Sequence, residues 1–229
     1  MPRLSRPLMI VLTLIVVILT GCERTPTEAA APVARSGDEP RGVIVCMGDS
    51  LTAGYRVDES EAYPALLAAM LARDGLPYEV VNAGVSGETS SGALARLDWV
   101  LTLAPDIVIL ETGANDGLRG VDPALTRRNI DAIVTRLKSE GVVVVLAGME
   151  MVRNLGPVFT EAFRAIYPDI AASHGLIRMP FFLEGVAGNP RLNQPDGIHP
   201  TAEGYRIVAA NLYPYVRQAI ARYEKHNSG

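Results

Sequence analysis

The stretch Val43-Ile-Val-Cys-Met-Gly-Asp-Ser-Leu-Thr-Ala-Gly54 decides the fold of this chain. Its first five residues are apolar and predict a buried β-strand. The Gly-Asp-Ser that follows predicts a tight turn into a helix, because Asp and Ser are good helix N-caps and Gly suits a turn. Ser50 would therefore stand on a glycine-flanked turn at the end of a strand. Taken alone, this signal indicates no more than the start of a helix.

Apolar strands and helical stretches continue to alternate along the rest of the chain. The predicted strands are Val43–Met47, Glu79–Asn82, Asp106–Glu111, Val142–Ala147 and Leu176–Met179. The predicted helices are Tyr63–Asp74, Ser91–Leu103, Pro123–Glu140, Pro157–Ser173 and Thr201–Arg222. This alternation predicts an α/β fold with a parallel sheet, in which ligands bind beyond the carboxyl ends of the strands.

Near the other end of the chain, Asp196-Gly-Ile-His199 projects a carboxylate and an imidazole to the same side of a turn or helical segment. A serine nucleophile needs an imidazole to accept its proton and a carboxylate to fix the tautomer of that imidazole. Ser50, His199 and Asp196 are therefore the candidate catalytic residues. His174 and His226 lack a carboxylate at a useful spacing, so we expect only local or solvated roles for them.

Two further segments supply donors suited to a developing oxyanion, and each follows a predicted strand. One is Gly84-Val-Ser-Gly87-Glu-Thr, and the other is Gly113-Ala-Asn115-Asp116. Without the serine and histidine segments, Gly87 and Asn115 would be interpreted as ordinary turn residues. Asp49 and Asp116 lie beside candidate catalytic positions, and we interpret them as groups that brace turns and loops.

Together, in this order and at this spacing, four segments resemble the blocks of the SGNH hydrolases, also called GDSL lipases and esterases. They are Gly48-Asp49-Ser50-Leu51, Gly87, Gly113-Ala-Asn115-Asp116 and Asp196-Gly-Ile-His199. The stretches AGYR, ARL, NDGLRG, FRAIYP, PFFLEGV and DGIHP are most similar to the bacterial multifunctional thioesterase, protease and lysophospholipase subgroup. The similarity spans roughly Val43 to Tyr215. It implies a three-layer α/β/α, flavodoxin-like fold with a five-stranded parallel sheet.

The resemblance also implies roles for individual residues. Ser50 would be the nucleophile, His199 the base and later the acid, and Asp196 the orienting carboxylate. The oxyanion hole would be formed by the backbone N–H groups of Ser50 and Gly87 and by the side-chain amide of Asn115. The subgroup carries a mobile loop after the Asn block, which here falls on Gly117–Val121.

The chain has 229 residues, of which 48% are hydrophobic, and a formal net charge of −4. These values predict one catalytic domain, residues 42–226, and no nucleic-acid partner. The three histidines are scattered and no paired Cys/His spacing occurs, so we expect no metal. We also expect no cofactor, because the glycine-rich Gly84–Gly92 lacks the Gly-Lys-Ser/Thr ending of a P-loop. Cys46 lies in an apolar strand and is predicted to be a core thiol.

The N-terminus is typical of an export signal. Arg3 and Arg6 precede the apolar run Leu8–Leu19, and Leu19-Thr20-Gly21-Cys22 resembles the lipobox of bacterial lipoproteins. This predicts a signal peptide at residues 1–21, lipidation of Cys22 and a disordered tether at residues 22–41. Glu23 follows the cysteine, and the absence of Asp at this position resembles lipoproteins that are forwarded to an outer membrane, so we expect the protein there, facing the periplasm. The alternative is an uncleaved anchor, for which the apolar run is short.

The leading hypothesis is a serine acyl hydrolase that cleaves carboxylic esters through an acyl-Ser50 intermediate. The expected substrates are lysophospholipids, aryl esters and short- or medium-chain acyl esters, with thioesters also open. Apolar residues in Gly117–Val121 and Met149–Val158 suit an acyl chain. Two alternatives remain open: a carbohydrate acetyl-esterase, and a non-catalytic lipid-binding envelope lipoprotein. We expect the protein to be a monomer.

Overall fold

A computed structural model of the protein describes residues 40–151 and 155–227. These residues belong to the unit Gly37–Gly229. The predicted signal peptide (residues 1–21), Cys22 and most of the predicted tether (22–41) lie outside the described residues.

A parallel sheet of five strands, in the order β2-β1-β3-β4-β5, forms the centre of the fold. The strands are β1 (Val43–Gly48), β2 (Glu79–Gly84), β3 (Ile107–Glu111), β4 (Val143–Ala147) and β5 (Ile177–Met179). In β1 and β3 every residue except Val43 is buried, as expected of central strands covered on both faces. The prediction of an α/β fold with a five-stranded parallel sheet is confirmed, and every predicted strand is present within two residues of its expected ends.

Helices cover both faces of the sheet. They are α1 (Ser50–Ala53), α2 (Tyr63–Arg73), α3 (Ser90–Ala95), α4 (Leu97–Leu101), α5 (Ala114–Leu118), α6 (Pro123–Ser139), α7 (Pro157–His174) and α8 (Ala202–Asn227), with a short 3₁₀ turn at Glu59–Glu61. Helices α2 and α8 pack together on one face, whereas α3, α6 and α7 pack on the other. The predicted three layers are therefore observed.

Three predicted elements differ from the observed ones. The predicted helix Ser91–Leu103 is two helices, because the chain turns at Arg96, whose guanidinium reaches back to the Ala83 carbonyl at 2.8 Å. The last helix continues past its predicted end at Arg222 to Asn227, since none of residues 223–227 is a proline or glycine. The first two residues of the predicted loop Gly117–Val121 belong to helix α5.

The strand order determines where the site lies. In an open sheet of order 2-1-3-4-5, the connections leave β1 and β3 towards opposite faces, which opens a crevice at their carboxyl ends. Ser50 follows β1, Asn115 follows β3, and Gly87 follows the neighbouring β2. Three of the four sequence segments therefore meet at one edge of the sheet.

Cys46 lies in the middle of β1 and is a free, buried thiol. Burial raises the pKa of this thiol to about 12, so it stays protonated at neutral pH. Cys46 is thus a core residue of the sheet.

Candidate active site

Ser50 is the first residue of helix α1, directly after the turn that ends β1. The Asp49 side chain caps this helix by accepting a hydrogen bond from the Leu51 N–H at 2.9 Å. The turn lies tight against the sheet, because a Cβ atom on Gly48 would overlap the carboxyl group of Glu111. Glycine at position 48 therefore allows the nucleophile candidate to approach the end of β3 closely.

His199 lies within hydrogen-bonding distance of both candidate partners. The Ser50 hydroxyl faces His199 Nε2 at 2.8 Å, and His199 Nδ1 faces Asp196 Oδ2 at 2.9 Å. With the proton on Nδ1, Ser50 donates to His199 and His199 donates to Asp196. These three side chains form one continuous hydrogen-bonded chain, although Ser50 and His199 are 149 residues apart in the sequence.

The Asp196 carboxylate is held in its charged form. Partial burial would raise its pKa, but hydrogen bonds from the His199 ring and from the backbone N–H groups of Ile198 and His199 outweigh burial and lower the pKa of Asp196 to about 2. A charged Asp196 fixes the His199 tautomer and stabilises the imidazolium that would form when His199 accepts a proton.

Two residues that the sequence analysis did not single out hold the His199 loop in place. The Gln194 side-chain amide donates to the carbonyl oxygens of Tyr55 at 2.7 Å and Pro200 at 2.9 Å. The Tyr55 ring lies with its centroid 4.6 Å from that of His199. The contacts of Tyr55 with Gln194 and His199 join residues far apart in sequence, so no local pattern could have predicted them.

The three predicted oxyanion-hole residues line one cavity together with His199. Gly87 has φ +81°, a left-handed conformation that favours glycine. The side-chain amide of Asn115 donates one hydrogen bond to Asp49 Oδ2 at 3.0 Å. The structure therefore brings together Ser50, Gly87, Asn115, Asp196 and His199, whereas the lipidation candidate Cys22 lies outside the described residues.

A buried polar network centred on Asp116 joins the Gly87 and Asn115 segments. Asp116 accepts hydrogen bonds from the Ser90 N–H at 2.7 Å, the Ser90 hydroxyl at 2.5 Å and the Thr126 hydroxyl at 3.1 Å. Ser90 begins α3, just after Gly87, and Asp116 lies in α5 beside Asn115. The network thus sets the distance between two of the oxyanion candidates, and Asp116 occupies the bracing position expected for it.

Glu111, the last residue of β3, is a site residue that the sequence analysis missed. Its side chain is fully buried beside that of Asp49, and burial raises the pKa of both carboxyl groups. The available signal was a single ionisable residue at the end of the otherwise apolar strand Ile107–Glu111. An ionisable residue in such a position indicates a functional or structural role, because a buried carboxyl group must either find partners or stay protonated.

The site opens into a cavity of about 680 Å³ with largely apolar walls. Its apolar lining includes Leu118, Met149, Met151, Phe181, Leu183 and Ile198. The two methionines come from the segment Met149–Val158 that was expected to contact substrate, of which residues 152–154 are not described. Flexible methionine side chains adapt to apolar ligands of different shape.

Two features are absent from residues 40–151 and 155–227. Within these ranges no helix combines the length and the apolar character that a membrane crossing requires. In the same part of the chain, no three or more His, Cys, Asp and Glu side chains are grouped so that they could hold a metal ion.

Comparison with known proteins identifies the family. Residues 46–207 match the model of the GDSL-like Lipase/Acylhydrolase family. The chain belongs to this family. The resemblance to SGNH/GDSL hydrolases inferred from the sequence is thereby confirmed.

Three relatives of this GDSL family member illustrate the similarity. Esterase TesA of Pseudomonas aeruginosa is 40% identical over 178 residues, which cover 77% of this chain and 89% of the relative. Thioesterase 1/protease 1/lysophospholipase L1 of Escherichia coli K12 is 39% identical over 167 residues, 72% of this chain and 79% of the relative. The crystal structure of the psychrotrophic esterase EstA from Pseudoalteromonas, inhibited by monoethylphosphonate, has a TM-score of 0.75 at 30% identity and covers 79% of this chain and 99% of its own.

Proposed function

We propose that this GDSL family member is a serine carboxylic ester hydrolase that works through an acyl-Ser50 intermediate. The observation that carries the proposal is the unbroken hydrogen-bonded chain Ser50–His199–Asp196, with separations of 2.8 and 2.9 Å, in the lining of a largely apolar cavity. Its family membership and its relatives named as esterases support the same activity.

In the first half-reaction, His199 Nε2 removes the hydroxyl proton as Ser50 Oγ attacks the ester carbonyl. The carbonyl oxygen becomes an oxyanion, which the N–H groups of Ser50 and Gly87 and the Asn115 amide stabilise. His199 then gives its proton to the leaving alcohol oxygen as the ester C–O bond breaks. The alcohol departs and the acyl group remains on Ser50.

In the second half-reaction, a water molecule takes the place of the alcohol. His199 accepts a proton from the water, whose oxygen attacks the acyl carbon, and then returns the proton to Ser50 Oγ as the acyl–oxygen bond breaks. The charged Asp196 stabilises the imidazolium of His199 in both halves. The net reaction consumes one ester and one water and yields an acid and an alcohol.

The size and the apolar lining of the cavity indicate that the substrates are esters with an extended acyl chain. Burial of each methylene contributes about 0.8 kcal/mol, or roughly fourfold in affinity, and the walls beside Leu118, Met149 and Leu183 are apolar. Lysophospholipids, aryl esters and medium-chain acyl esters fit this description, and the names of the relatives extend it to thioesters. An acetyl group would leave most of the 680 Å³ unfilled, which disfavours a carbohydrate acetyl-esterase.

A fluorophosphonate probe tests the nucleophile directly. We expect the wild-type protein to be labelled and the Ser50→Ala variant to be unlabelled, with ester turnover reduced at least ~10⁴-fold. Ser86→Ala is the matched control, because Ser86 lines the same cavity without being part of the hydrogen-bonded chain. If the Ser50→Ala variant were still labelled, Ser50 would not be the nucleophile.

A series of p-nitrophenyl esters tests the substrate class. We expect kcat/KM to rise from the acetate towards medium chains until the cavity is filled. Hydrolysis of acetylated oligosaccharides without activity on longer chains would instead select the acetyl-esterase alternative. Ligand binding without any turnover would select the non-catalytic lipid-binding protein.

We further propose that the protein is exported as a lipoprotein held in the outer membrane, facing the periplasm, through lipidated Cys22. The support is in the sequence: Arg3 and Arg6, the apolar run Leu8–Leu19, and the small residues before Cys22. Two or three acyl chains on this cysteine would anchor the domain stably. An enzyme in this position would encounter lysolipids rather than cytosolic acyl-CoA.

Metabolic labelling with palmitate tests this location. The full-length chain should incorporate label and accumulate as its precursor in the presence of globomycin, and Cys22→Ala should lose the label. Cys46→Ala is the matched control, since Cys46 is buried within β1. A mature protein without a mass increase on Cys22 would contradict the proposal.

We also infer that the protein acts as a monomer. The support is that Ser50, His199, Asp196 and the oxyanion candidates Gly87 and Asn115 all lie around one cavity of a single chain. Light scattering on the purified mature domain should give the mass of one chain, and a concentration-independent dimer would contradict the inference.

A further inference from the structure

Glu111 is an ionisable residue that the reaction described above does not use. Its side chain has no exposed surface, and the side chain of Asp49 beside it is only 1% exposed. Glu111 Oε2 accepts hydrogen bonds from the Asp49 N–H at 3.2 Å and from the Thr52 hydroxyl at 2.9 Å. The two carboxyl groups act directly on each other, and the second Glu111 oxygen, Oε1, is buried and accepts no hydrogen bond from any N–H or O–H group in the described part of the chain.

A hydrogen bond between two carboxyl groups requires a proton on one of them, because two carboxylates have only acceptors and repel each other. Asp49 accepts the Leu51 N–H on Oδ1 and the Asn115 amide on Oδ2, and both bonds favour its charged form. Glu111 is more deeply buried, and burial together with the charge of Asp49 raises its pKa well above the ordinary value. The proton therefore belongs to Glu111.

The other side chains around Glu111 leave it without a cationic partner. Those in hydrogen-bonding or electrostatic contact with it are Thr52 on α1, Tyr63 on α2, Tyr167 on α7, Tyr205 on α8 and Asp49. Burial raises the pKa of all three tyrosines, so they are neutral. In the described part of the chain no lysine or arginine forms an ion pair with Glu111 or Asp49, and Arg96 nearby is paired with Glu88. His199, when it carries a proton on both ring nitrogens, acts on Asp49 and favours its charged form.

Asp49 lies between the protonated Glu111 and the oxyanion hole, because it also accepts a hydrogen bond from the Asn115 amide. A primary amide has two N–H groups, and the Asn115 amide gives one of them to Asp49 while its side chain lines the cavity with Ser50 and Gly87. An amide held at one hydrogen cannot rotate freely, so its second hydrogen keeps a constant direction. A preoriented donor stabilises an oxyanion better than one that must be ordered during the reaction.

We propose that Glu111 is a positioning residue: as a neutral carboxylic acid it donates a hydrogen bond to Asp49 and thereby holds Asp49 as the acceptor that aims the Asn115 amide at the oxyanion. This role rests on the proposed acyl transfer. In this arrangement the Asn115 amide contacts the oxyanion directly. Asp49 and Glu111 do not contact the oxyanion, but they orient the Asn115 amide.

The pair Glu111→Gln and Glu111→Leu tests the proposal. Glutamine keeps a donor for Asp49 and an acceptor for the Asp49 N–H and the Thr52 hydroxyl, so kcat should remain within about threefold of wild type. Leucine removes the donor, and kcat should fall about tenfold to a hundredfold, less than the loss expected from removing the Asn115 amide itself. KM should change little in both variants, because substrate contacts the cavity walls and not Glu111.

A double variant distinguishes positioning from a general structural role. If Glu111 acts through Asn115, then Glu111→Leu should cost little more in kcat once Asn115→Ala is present. Full additivity of the two losses, full activity of Glu111→Leu, or a Glu111→Gln variant as slow as Glu111→Leu would each overturn the proposal. Thermal unfolding of every variant checks that the fold persists.

An infrared measurement covers the case in which Glu111→Leu does not fold. The difference spectrum between wild type and Glu111→Gln at neutral pH should contain the carbonyl stretch of a protonated carboxylic acid, and its absence would overturn the proposal. Fluorophosphonate labelling of wild type separates this result from the function itself. An unlabelled wild type would contradict the acyl transfer, whereas a labelled wild type with an ionised Glu111 would contradict only the positioning role.

Discussion

Asp196 at the rim of the active site and Glu111 beneath it carry the same chemical group in opposite environments. The Asp196 side chain is 29% exposed, accepts hydrogen bonds from His199 and from two backbone N–H groups, and has a pKa lowered to about 2. The Glu111 side chain is fully buried against a second carboxyl group, and its pKa is raised well above the ordinary value. One is a carboxylate at neutral pH, and the other is a neutral acid.

The difference shows how one edge of a sheet supports two uses of a carboxyl group. Donors around Asp196 stabilise its charge, so it can balance a positive His199. Burial of Glu111 removes the charge and leaves a hydrogen-bond donor, which Asp49 can accept. The environment, and not the residue type, decides which use applies.

The largest expected effect comes from removing the charge at the rim. Asp196→Asn should lower kcat by roughly 10³–10⁴-fold, because the amide no longer holds His199 in the tautomer that accepts the Ser50 proton. Steady-state kinetics on a p-nitrophenyl ester measures this loss. Asp131→Asn is the matched control, since Asp131 pairs with His174 at 2.8 Å on the surface, away from the cavity. Equal losses in the two variants would contradict the role of the rim carboxylate.

The next effect tests the link between the buried acids and the oxyanion. Asn115→Ala should lower kcat by about 10²–10³-fold with a smaller change in KM, because one donor to the oxyanion is lost. Asn211→Ala, which removes an exposed amide bonded to the Glu184 carbonyl, should leave kcat unchanged. An Asn115→Ala variant with wild-type kcat would contradict both the role of Asn115 in the oxyanion hole and the proposed action of Glu111 through Asn115.

A smaller effect is expected at the cavity wall, where neither carboxyl group acts. Leu118 lines the cavity and is 48% exposed, so Leu118→Ser should raise KM for an eight-carbon ester about fivefold and leave the acetate nearly unchanged. Val158→Ser is the control, because Val158 is 84% exposed and lies outside the cavity lining. A chain-length series on both variants measures the difference. An equal loss on both esters would place the effect in catalysis and not in binding of the chain.

The smallest effect is on stability, and its sign differs between the two carboxyl groups. Asp196 has a folded pKa of about 2, below its ordinary 3.8, so its stabilisation is present above about pH 4 and is lost as pH falls towards 2. Glu111 has a raised folded pKa, so its contribution is fully present below its ordinary 4.5 and is lost as pH rises.

Thermal unfolding from pH 3 to pH 8 measures these opposite slopes. The Tm deficit of Asp196→Asn relative to wild type should be larger at pH 7 than at pH 3. Wild type should lose Tm relative to Glu111→Gln as pH rises from 4 to 8, by a few degrees. Parallel slopes for the two variants would contradict the assigned charge states.

Local pattern was sufficient to predict most of the fold. The apolar strand Val43–Met47 and the Gly-Asp-Ser turn predict β1 and the start of α1, because strand and cap preferences act over a few residues. The prediction was wrong about the helix Ser91–Leu103, which breaks at Arg96. At the break, Arg96 donates hydrogen bonds to the Gly48 carbonyl of β1 and the Ala83 carbonyl of β2, and no local sequence pattern contains these long-range contacts.

By itself, the sequence determined the alternation of strands and helices, the family, and which serine, histidine and aspartate are candidates for catalysis, since these depend on residue type and spacing along the chain. Only the tertiary structure decided that Ser50 meets His199 at 2.8 Å, that Gln194 reaches Tyr55, and that Glu111 lies against Asp49. Charge state is the clearest case, because a carboxyl group's pKa depends on the donors, charges and solvent around it, and folding brings these from distant parts of the chain.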